Sequence, residues 1–585
     1  MKKTVSLFMA VIFAALSFVG YSSAATATQN TVSVKSGGVA YADYDVHGNV
    51  LDSEFCRENF IPQKTSVFAR TVSALPSAYS SVDEGHVTCV KDQGYANSCW
   101  AFSAISALES DSIIKGYTTP YQTDFSEAHL IWFSMNSYST DSSDPSSGDG
   151  RTVDSAFEEG GNWRIPTAAL ARWAGVANES DYPFYPYDID AMGNYPESDR
   201  YDQNSGVVLE SAQVLTSAND VKQWIVDHGS VTVSYYHDFT YYNSATSAYC
   251  YPSASSINHM VAIVGWDDAF PADNFSSSAT PAGDGAWLCK NSWGDFSKQG
   301  GYFWISYYDP TLTDFVGYTA KEYHEGDRNY TYNGADFYSY LSTTSRITAA
   351  NIFTANGCEK LTAFSLYTRT SDTSVNYWVY TNLRSKTRPD SGTLVESGTL
   401  TVERAGYHTV ELSDEYTLAA GSRFSVVYNC MDSTGNSYIP IEYDTATRTY
   451  TAYSGQSFVN QTAATGYNWI DTYSSGYGNC FIQAFTEAYH TDVTETVENN
   501  CLQVVYCNDC NAQISRAPAY TDKHSFGEWG EFKETATGEK VSTRVCSVCG
   551  ATQTRSTTNN SITLTELLEL IFERFFEALR LRIKQ

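Results

Sequence analysis

The chain has 585 residues, which is too many for one hydrophobic core, so its length predicts several domains. Its formal net charge of −30 argues against nucleic acid as a partner. Charged residues make up 17% of the chain and aromatic residues 15%, a balance that suits β-rich extracellular domains better than a cytosolic helical protein. The cysteines number 13, an odd count, so in an exported chain at least one thiol is expected to stay unpaired.

The first 24 residues have the pattern of a secretory signal peptide. Two lysines precede an apolar stretch from Val5 to Val19, and small residues before residue 25 offer a cleavage site. A membrane anchor is the alternative, but the apolar stretch is shorter than the ~18 residues of a spanning helix. We therefore expect a signal peptide at 1–24 and a protein that is secreted or held at the cell surface. The polar residues 25–74 form a pro-segment or an N-terminal arm, and the sequence leaves both open.

The segment around Cys99 predicts a reactive thiol. Val87–Lys91 has the composition of a short strand, and residues 99–115 have that of a helix that starts at Cys99. The N-terminus of a helix favours a thiolate because its free N–H groups and partial positive charge stabilise the anion. Gln93, just upstream, offers a side-chain amide that could reach the sulfur. A thiolate beside an amide donor is half of an acyl-transfer site.

Two further helices and a polar loop are predicted next. Glu127–Met135 and the stretch from Pro166 to Trp173 read as helices, the second of them amphipathic. Residues 137–154 are rich in Ser, Asp and Gly, which is typical of a solvated surface loop. A calcium site is the alternative use of this loop, with Asp141, Asp144 and Asp149 as its ligands.

Buried strands follow the helices, an order typical of an α+β fold rather than of alternating βαβ units. Apolar or alternating runs predict them at Val231–Tyr236, Met260–Trp266, Ala286–Lys290 and Gly301–Tyr307. His259 opens the second of these strands, which would hold its ring rigidly.

The run Asn291-Ser292-Trp293-Gly294 closes the third of these strands. An Asn amide there could fix the tautomer of His259 while Trp293 shields their hydrogen bond from water. Taken alone, a histidine at a strand end is more often a core or surface residue, and such a run is most often a turn.

In chain order, residues 75–325 resemble the papain-like cysteine peptidases. The resemblance rests on Gln93, Cys99-Trp100, Gly160-Gly161, Asn258-His259, Asn291-Ser292-Trp293-Gly294 and Gly301-Tyr302. Two positions depart from the plant and lysosomal members: Ala96 stands where they carry a cysteine, and Cys89 where they commonly have proline. With the β-rich region that follows, the chain looks more like the secreted microbial members that carry a C-terminal lectin-like domain.

The resemblance implies a role for each of these residues. Cys99 would be the nucleophile, His259 the base and then the acid, Asn291 its orienter and Gln93 an oxyanion donor. The substrate would be bound near Gly160, Gly161, Trp163, Asn258, Met260 and Trp293.

The implied protein is a secreted endopeptidase that hydrolyses peptide bonds through a thioester acyl-enzyme and needs no cofactor for catalysis. The alternative is a surface adhesin or glycan-binding protein with an inactive or weakly active papain-like domain. An exopeptidase or a transpeptidase is a second alternative. An exopeptidase needs an extra segment that blocks one end of the cleft, and no segment of the sequence has that pattern.

Residues 330–489 predict an all-β sandwich that resembles the lectin-like domain of those peptidases. Short alternating runs are separated by Gly, Asn, Asp and Ser turns, and no long helical period occurs among them. The many Tyr and Trp residues could stack on sugar rings, but a sandwich core uses the same residue types. Carbohydrate or a cell surface is therefore one expected partner, and a spacer or substrate-docking role is the other reading.

Residues 500–556 contain a repeated Cys-x-x-Cys motif that predicts a zinc-ribbon-like module. Its four thiolates, Cys507, Cys510, Cys546 and Cys549, would fill one structural zinc site. Two disulfides are the alternative, because the chain is expected to be exported. Beyond the module, residues 562–585 have an apolar stripe at helical spacing, which predicts an amphipathic helix. This helix would self-associate or lie on a membrane surface, and the alternative is that it packs on its own protein.

Overall fold

The computed structural model describes residues 75–136, 150–151, 155–333, 339–443, 448–460, 468–490, 493–498, 501–519, 524–534 and 540–556. The predicted signal peptide, the N-terminal arm, the calcium ligands and the amphipathic helix lie outside these residues, and their predictions stay untested. The chain divides into two compact units, one that ends at Ala488 and one that begins at Tyr489. No helix among the described residues is long and apolar enough to cross a membrane.

The described residues contain four α-helices, all in the first unit. They are α1 (Cys99–Ile114), α2 (Glu127–Met135), α3 (Arg164–Ala171) and α4 (Ala218–His228). Short 3-10 helices lie at Ile189–Ala191, Glu197–Tyr201, Phe239–Tyr241, Ala272–Asn274 and Tyr473–Ser475.

The helix α4 was not predicted from the sequence, although its ends carry clear signals. The Ser217 hydroxyl accepts a hydrogen bond from the Asp220 N–H at its start, and Gly229 follows its last residue with φ +84°.

The first unit contains 23 strands among its described residues. They are β1 (Ala78–Ser80), β2 (Gly150–Arg151), β3 (Val207–Val214), β4 (Val231–Tyr235), β5 (Tyr242–Asn243), β6 (Ala248–Tyr249), β7 (His259–Asp267), β8 (Ala286–Lys290), β9 (Tyr302–Ser306), β10 (Thr313–Glu322), β11 (Arg328–Tyr330), β12 (Ser339–Thr343), β13 (Thr348–Thr354), β14 (Glu359–Thr368), β15 (Thr373–Thr381), β16 (Thr393–Val402), β17 (Gly406–Leu418), β18 (Arg423–Met431), β19 (Ser437–Ile441), β20 (Arg448–Thr449), β21 (Ser457–Asn460), β22 (Ile470–Asp471) and β23 (Gln483–Ala488).

The helix α1 lies at the centre of the α+β part and packs against β7 and β10. Nearly all of its side chains are buried, and alanines at 101, 104 and 107 let the neighbouring strands approach closely. The predicted fold class, helices first and a β-rich lobe after them, is confirmed.

The predicted strand at Val87–Lys91 is wrong. These residues are irregular, and the nearest backbone pairing is a single bridge between Asp92 and Trp293. The reason is that two of the five side chains hold the segment against α1 through polar contacts. The Thr88 hydroxyl donates to a Glu109 carboxylate oxygen at 2.5 Å, and the Lys91 ammonium donates to the other oxygen at 3.0 Å.

One continuous sheet joins the α+β part to the β-rich region. It contains 13 strands in the order β11-β23-β14-β17-β3-β10-β4-β7-β8-β9-β6-β5, with β1 paired to β7. The seam is the antiparallel pairing of β17 with β3, in which Gly406 lies opposite Gln213. A second sheet, β16-β15-β18-β13-β21-β22, packs on this region, and the core between them contains Phe364, Val375 and Val426. The predicted all-β region is therefore confirmed, and it is joined to the peptidase-like lobe by main-chain hydrogen bonds.

In its described residues, the second unit contains two three-stranded antiparallel sheets. One contains β24 (Val493–Glu498), β25 (Leu502–Cys507) and β26 (Gln513–Pro518), and the other contains β27 (Lys533–Glu534), β28 (Lys540–Val545) and β29 (Thr552–Ser556).

Candidate active site

Cys99 is the first residue of α1, as the sequence predicted, and its side chain is buried. The segment before it is held against the segment after β8, because the Gln93 N–H donates to the Ser292 carbonyl at 2.8 Å. On its other side, the Asn97 N–H donates to the Phe157 carbonyl at 2.9 Å. The start of α1 is thus held by segments on both of its sides.

His259 and Asn291 are brought together across neighbouring strands. His259 is the first residue of β7, Asn291 follows the last residue of β8, and His259 Nε2 lies 2.8 Å from Asn291 Oδ1. The Ser292 N–H also donates to Asn291 Oδ1, at 2.9 Å. Because this N–H needs an acceptor, the amide oxygen must face it, and His259 must therefore carry its proton on Nε2. The other ring nitrogen, Nδ1, is left with a lone pair for a base.

Aromatic rings cover this hydrogen bond. Trp293 stacks on the His259 ring with centroids 4.3 Å apart and an interplanar angle of 16°. His237 meets the edge of Trp293 at 4.9 Å, and Phe239, which is 63% exposed, lies 5.6 Å from Trp293. Sequence reasoning missed His237 and Phe239; the only available signal was their position just past the alternating strand at 231–236.

Burial disfavours the charged forms of both central groups. It raises the pKa of the Cys99 thiol to about 11, and the backbone N–H groups of Met260, Trp100 and Cys99 act in the opposite direction. It lowers the pKa of His259 to about 4, and the hydrogen bond to Asn291 acts to raise it. Proton transfer from the thiol to the imidazole would create two opposite charges, whose attraction lowers the first pKa and raises the second. An ion pair is therefore accessible only if both groups ionise together.

Gln93 is held at both ends of its amide. Its Oε1 accepts a hydrogen bond from the Ser292 hydroxyl at 2.7 Å, and its Nε2 donates to the Ala96 carbonyl at 2.7 Å. The second Nε2–H remains for a ligand. Ser292 therefore orients two candidate residues at once, Gln93 through its hydroxyl and Asn291 through its N–H. Sequence reasoning gave Ser292 no role of its own.

Gly160 and Gly161 lie in a buried segment beside the start of α1. A Cβ atom at Gly161 would lie 2.6 Å from the Trp100 ring, so no larger residue fits there. Trp163 is buried, and its carbonyl accepts a hydrogen bond from the Tyr318 hydroxyl at 2.9 Å. Trp163 therefore packs as a core residue next to Gly160 and Gly161 in the chain.

Asn258 and Met260 flank His259 in the chain. The Asn258 side chain accepts from the His237 N–H at 2.6 Å and donates to the His237 carbonyl at 2.9 Å. Its amide is therefore engaged with the backbone and positions the start of β7. Met260 is buried, and its backbone N–H faces the Cys99 sulfur.

The four cysteines predicted to share one metal site do not come together. Cys507 and Cys510 converge with His490, whereas Cys546 and Cys549 converge with Cys501 and His524. The prediction of a single four-thiolate site is therefore wrong. The repeat folds into two equivalent turns on different sheets, and each turn has its own neighbouring histidine.

The site combines a buried thiol at a helix N-terminus, an oriented imidazole and an amide donor. These groups lie between an α-helical and a β-rich lobe, which is the architecture of a thiol peptidase. Residues 75–312 match the papain family of cysteine proteases, and residues 330–486 match the lectin-like domain. A solved structure of the clostridial cysteine protease Cwp84 after propeptide cleavage is 30% identical, with a TM-score of 0.60, and the match covers 71% of this chain and 100% of that one. The chain belongs to the papain family of cysteine proteases.

The particular arrangement, a papain-like lobe followed by a lectin-like domain, also occurs in a second solved structure. It contains the cysteine protease and lectin-like domains of Cwp84, a surface layer associated protein of Clostridium difficile. It is 28% identical, with a TM-score of 0.61, and the match covers 77% of this chain and 99% of that one.

Curated relatives match a smaller share of the chain. Vignain from Ricinus communis is 27% identical over 245 residues, which is 40% of this chain and 54% of the relative. Oryzain beta chain from Oryza sativa is 29% identical over 267 residues, which is 43% of this chain and 48% of the relative. The chain thus spans about half the length of the curated relatives it matches.

Proposed function

We propose that the protein is a cysteine endopeptidase that hydrolyses peptide bonds through a thioester acyl-enzyme. The observation that carries the proposal is the double hydrogen bond to Asn291 Oδ1, from His259 Nε2 and from the Ser292 N–H. It leaves His259 Nδ1 as the base in a water-shielded site beside a buried thiol. A residue packed only for stability would not need this free lone pair.

In the proposed reaction, the Cys99 thiol gives its proton to His259 Nδ1 and the sulfur attacks the substrate carbonyl carbon. The second Nε2–H of Gln93 and the Cys99 backbone N–H, which starts a helix and has no partner within it, stabilise the oxyanion. The C–N bond breaks as the His259 imidazolium protonates the leaving amine. Water, activated by the same imidazole, then hydrolyses the thioester and restores the thiol.

A peptidyl probe with a thiol-reactive group tests the proposal on the purified full chain. Peptide mapping is expected to find the probe on Cys99. Cys89, an exposed cysteine, is the internal control for reactivity without substrate recognition. Equal labelling of Cys89 and Cys99, or no labelling at all, would contradict the proposal and favour the alternative of a binding protein with an inactive papain-like domain.

Gln93→Ala is expected to lower kcat by about 100-fold or more with little change in KM, because a donor to the oxyanion acts mainly in the transition state. Ser292→Ala should give a smaller loss, because it removes only the hydroxyl that orients Gln93. Steady-state rates on a fluorogenic peptide measure both effects. An equal loss in the two variants, or a change in KM alone, would contradict the oxyanion role of Gln93.

We further propose that the protein is secreted or held at the cell surface. The signal-peptide pattern of residues 1–24 and the surface-layer association stated for Cwp84 support this location. Its substrates would be proteins or peptides. The lectin-like region would bind carbohydrate, and exposed tyrosines such as Tyr453 and Tyr473 offer ring faces for stacking on sugars.

A further inference from the structure

Four side chains of the second unit converge at one point. They are Cys501, His524, Cys546 and Cys549, whose ligand atoms all lie within 4.8 Å of one another. Cys501 precedes β25 of one sheet, and Cys546 and Cys549 follow β28 of the other. His524 belongs to the connection between the two sheets. The cluster is thus the place where both halves of the unit meet.

The distances in this cluster suit metal ligands better than a disulfide. The Cys501 and Cys546 sulfurs are 3.7 Å apart, and the Cys549 sulfur lies 3.3 Å from His524 Nδ1. A disulfide would require about 2.05 Å between sulfurs. Tetrahedral zinc, with Zn–S about 2.3 Å and Zn–N about 2.0 Å, places its ligand atoms roughly 3.5–3.8 Å from each other.

The backbone around Cys546 has the geometry of a metal-binding turn. The Gly550 N–H donates to the Cys546 carbonyl at 3.0 Å, the Cys546 N–H donates to the Ala551 carbonyl at 2.8 Å, and Gly550 has φ +74°. This tight turn points both thiols of the Cys-x-x-Cys motif to the same side. The first repeat forms the same turn: the Asn511 N–H donates to the Cys507 carbonyl at 2.9 Å, and Asn511 has φ +58°.

Few apolar side chains are buried in the described part of the second unit. Among its described residues, Leu502, Val504 and Ala519 are buried. Other apolar side chains, including Val497 and Phe532, are exposed. A module of this size needs a covalent or metal crosslink because its core is too small to stabilise it.

We propose that Cys501, His524, Cys546 and Cys549 bind one Zn²⁺ ion that joins the two sheets of the second unit. Three thiolates and one imidazole are a ligand set that zinc prefers, and the three thiols release their protons to solvent when the metal binds. All four coordination positions are filled by the protein, so the site is structural. The proposal does not depend on the peptidase activity of the first unit.

Metal analysis of the purified full chain tests this site. Cys546→Ser and His524→Ala are each expected to lower the zinc content by one ion per chain relative to the parent. Cys89→Ser, which removes an exposed cysteine of the first unit, should leave it unchanged. His524→Cys restores a fourth thiolate and should keep the zinc, which separates loss of a ligand from a general failure to fold.

A second measurement uses Co²⁺ in place of zinc. The intensity of the thiolate-to-cobalt absorption should fall in Cys546→Ser and be retained in His524→Cys. A parent chain without zinc, variants that keep the parent's zinc content, or a Cys501–Cys546 disulfide in non-reducing peptide maps would each overturn the proposal.

Discussion

Replacing Cys99 with alanine is expected to lower kcat/KM on an unstructured peptide by at least about 10⁴-fold, because it removes the only atom that can form the thioester. Folding should be unaffected. Cys99 is the first residue of α1, the substitution only removes the sulfur atom and adds no bulk, and alanine favours a helix. Hydrolysis of a fluorogenic peptide and a thermal melt of the same preparations measure the two effects.

Cys89→Ala is the matched control for this experiment. Cys89 lies ten residues before Cys99 in the chain and is exposed, so its loss should change neither rate nor stability. Activity of Cys99→Ala equal to that of the parent would disprove the proposed nucleophile. A loss that is as large in Cys89→Ala would point to general damage to the fold.

Gly406→Ala is expected to destabilise the first unit by about 3 kcal/mol or more, because it affects the seam between its two parts. Gly406 starts β17 with φ +130°, a conformation that side chains rarely allow. An added Cβ would lie 2.1 Å from the Ala212 carbonyl oxygen of β3, a contact that only movement of the backbone can relieve. Urea unfolding followed by tryptophan fluorescence measures the loss.

Gly357→Ala is the control for the seam. Gly357 also belongs to the β-rich region, but it has no positive φ, and a Cβ atom there meets only the Glu359 side chain at 3.5 Å. We expect no measurable change in its unfolding midpoint. If Gly406→Ala unfolds at the same urea concentration as the parent, the β3–β17 pairing does not couple the two parts.

The fold of the first unit was predictable where a local pattern agrees with burial. Helix α2 has the predicted bounds, Glu127–Met135, and β8 has those predicted, Ala286–Lys290. Both segments are apolar with clear ends, so periodicity alone located them. The Val87–Lys91 prediction failed because its composition suits a strand, whereas the Thr88 and Lys91 side chains are bound to Glu109 of α1. No local pattern shows a contact with a residue that far along the chain.

The contacts of Lys91, near the candidate active site, also could not be predicted from the local sequence. In the sequence it is one basic residue before the thiol segment. In the structure its ammonium lies 3.0 Å from a carboxylate oxygen of Glu109 and 3.0 Å from one of Glu127. Burial by itself would lower the pKa of Lys91, but these carboxylates outweigh it and raise the pKa well above its ordinary value.

The sequence by itself determined the chemistry of the candidate site. Each of Gln93, Cys99, His259 and Asn291 is a weak signal alone, but their order and neighbouring residues resemble the papain-like peptidases, and that resemblance predicts a thiol peptidase. Only the tertiary structure decided which partner holds each group. Ser292 links Gln93 to Asn291, one sheet joins the lobe to the lectin-like region, and Cys546 and Cys549 face His524 and Cys501 instead of the first cysteine pair. These contacts join residues far apart in the chain, so their pairing depends on strand order and register, which local sequence patterns do not specify.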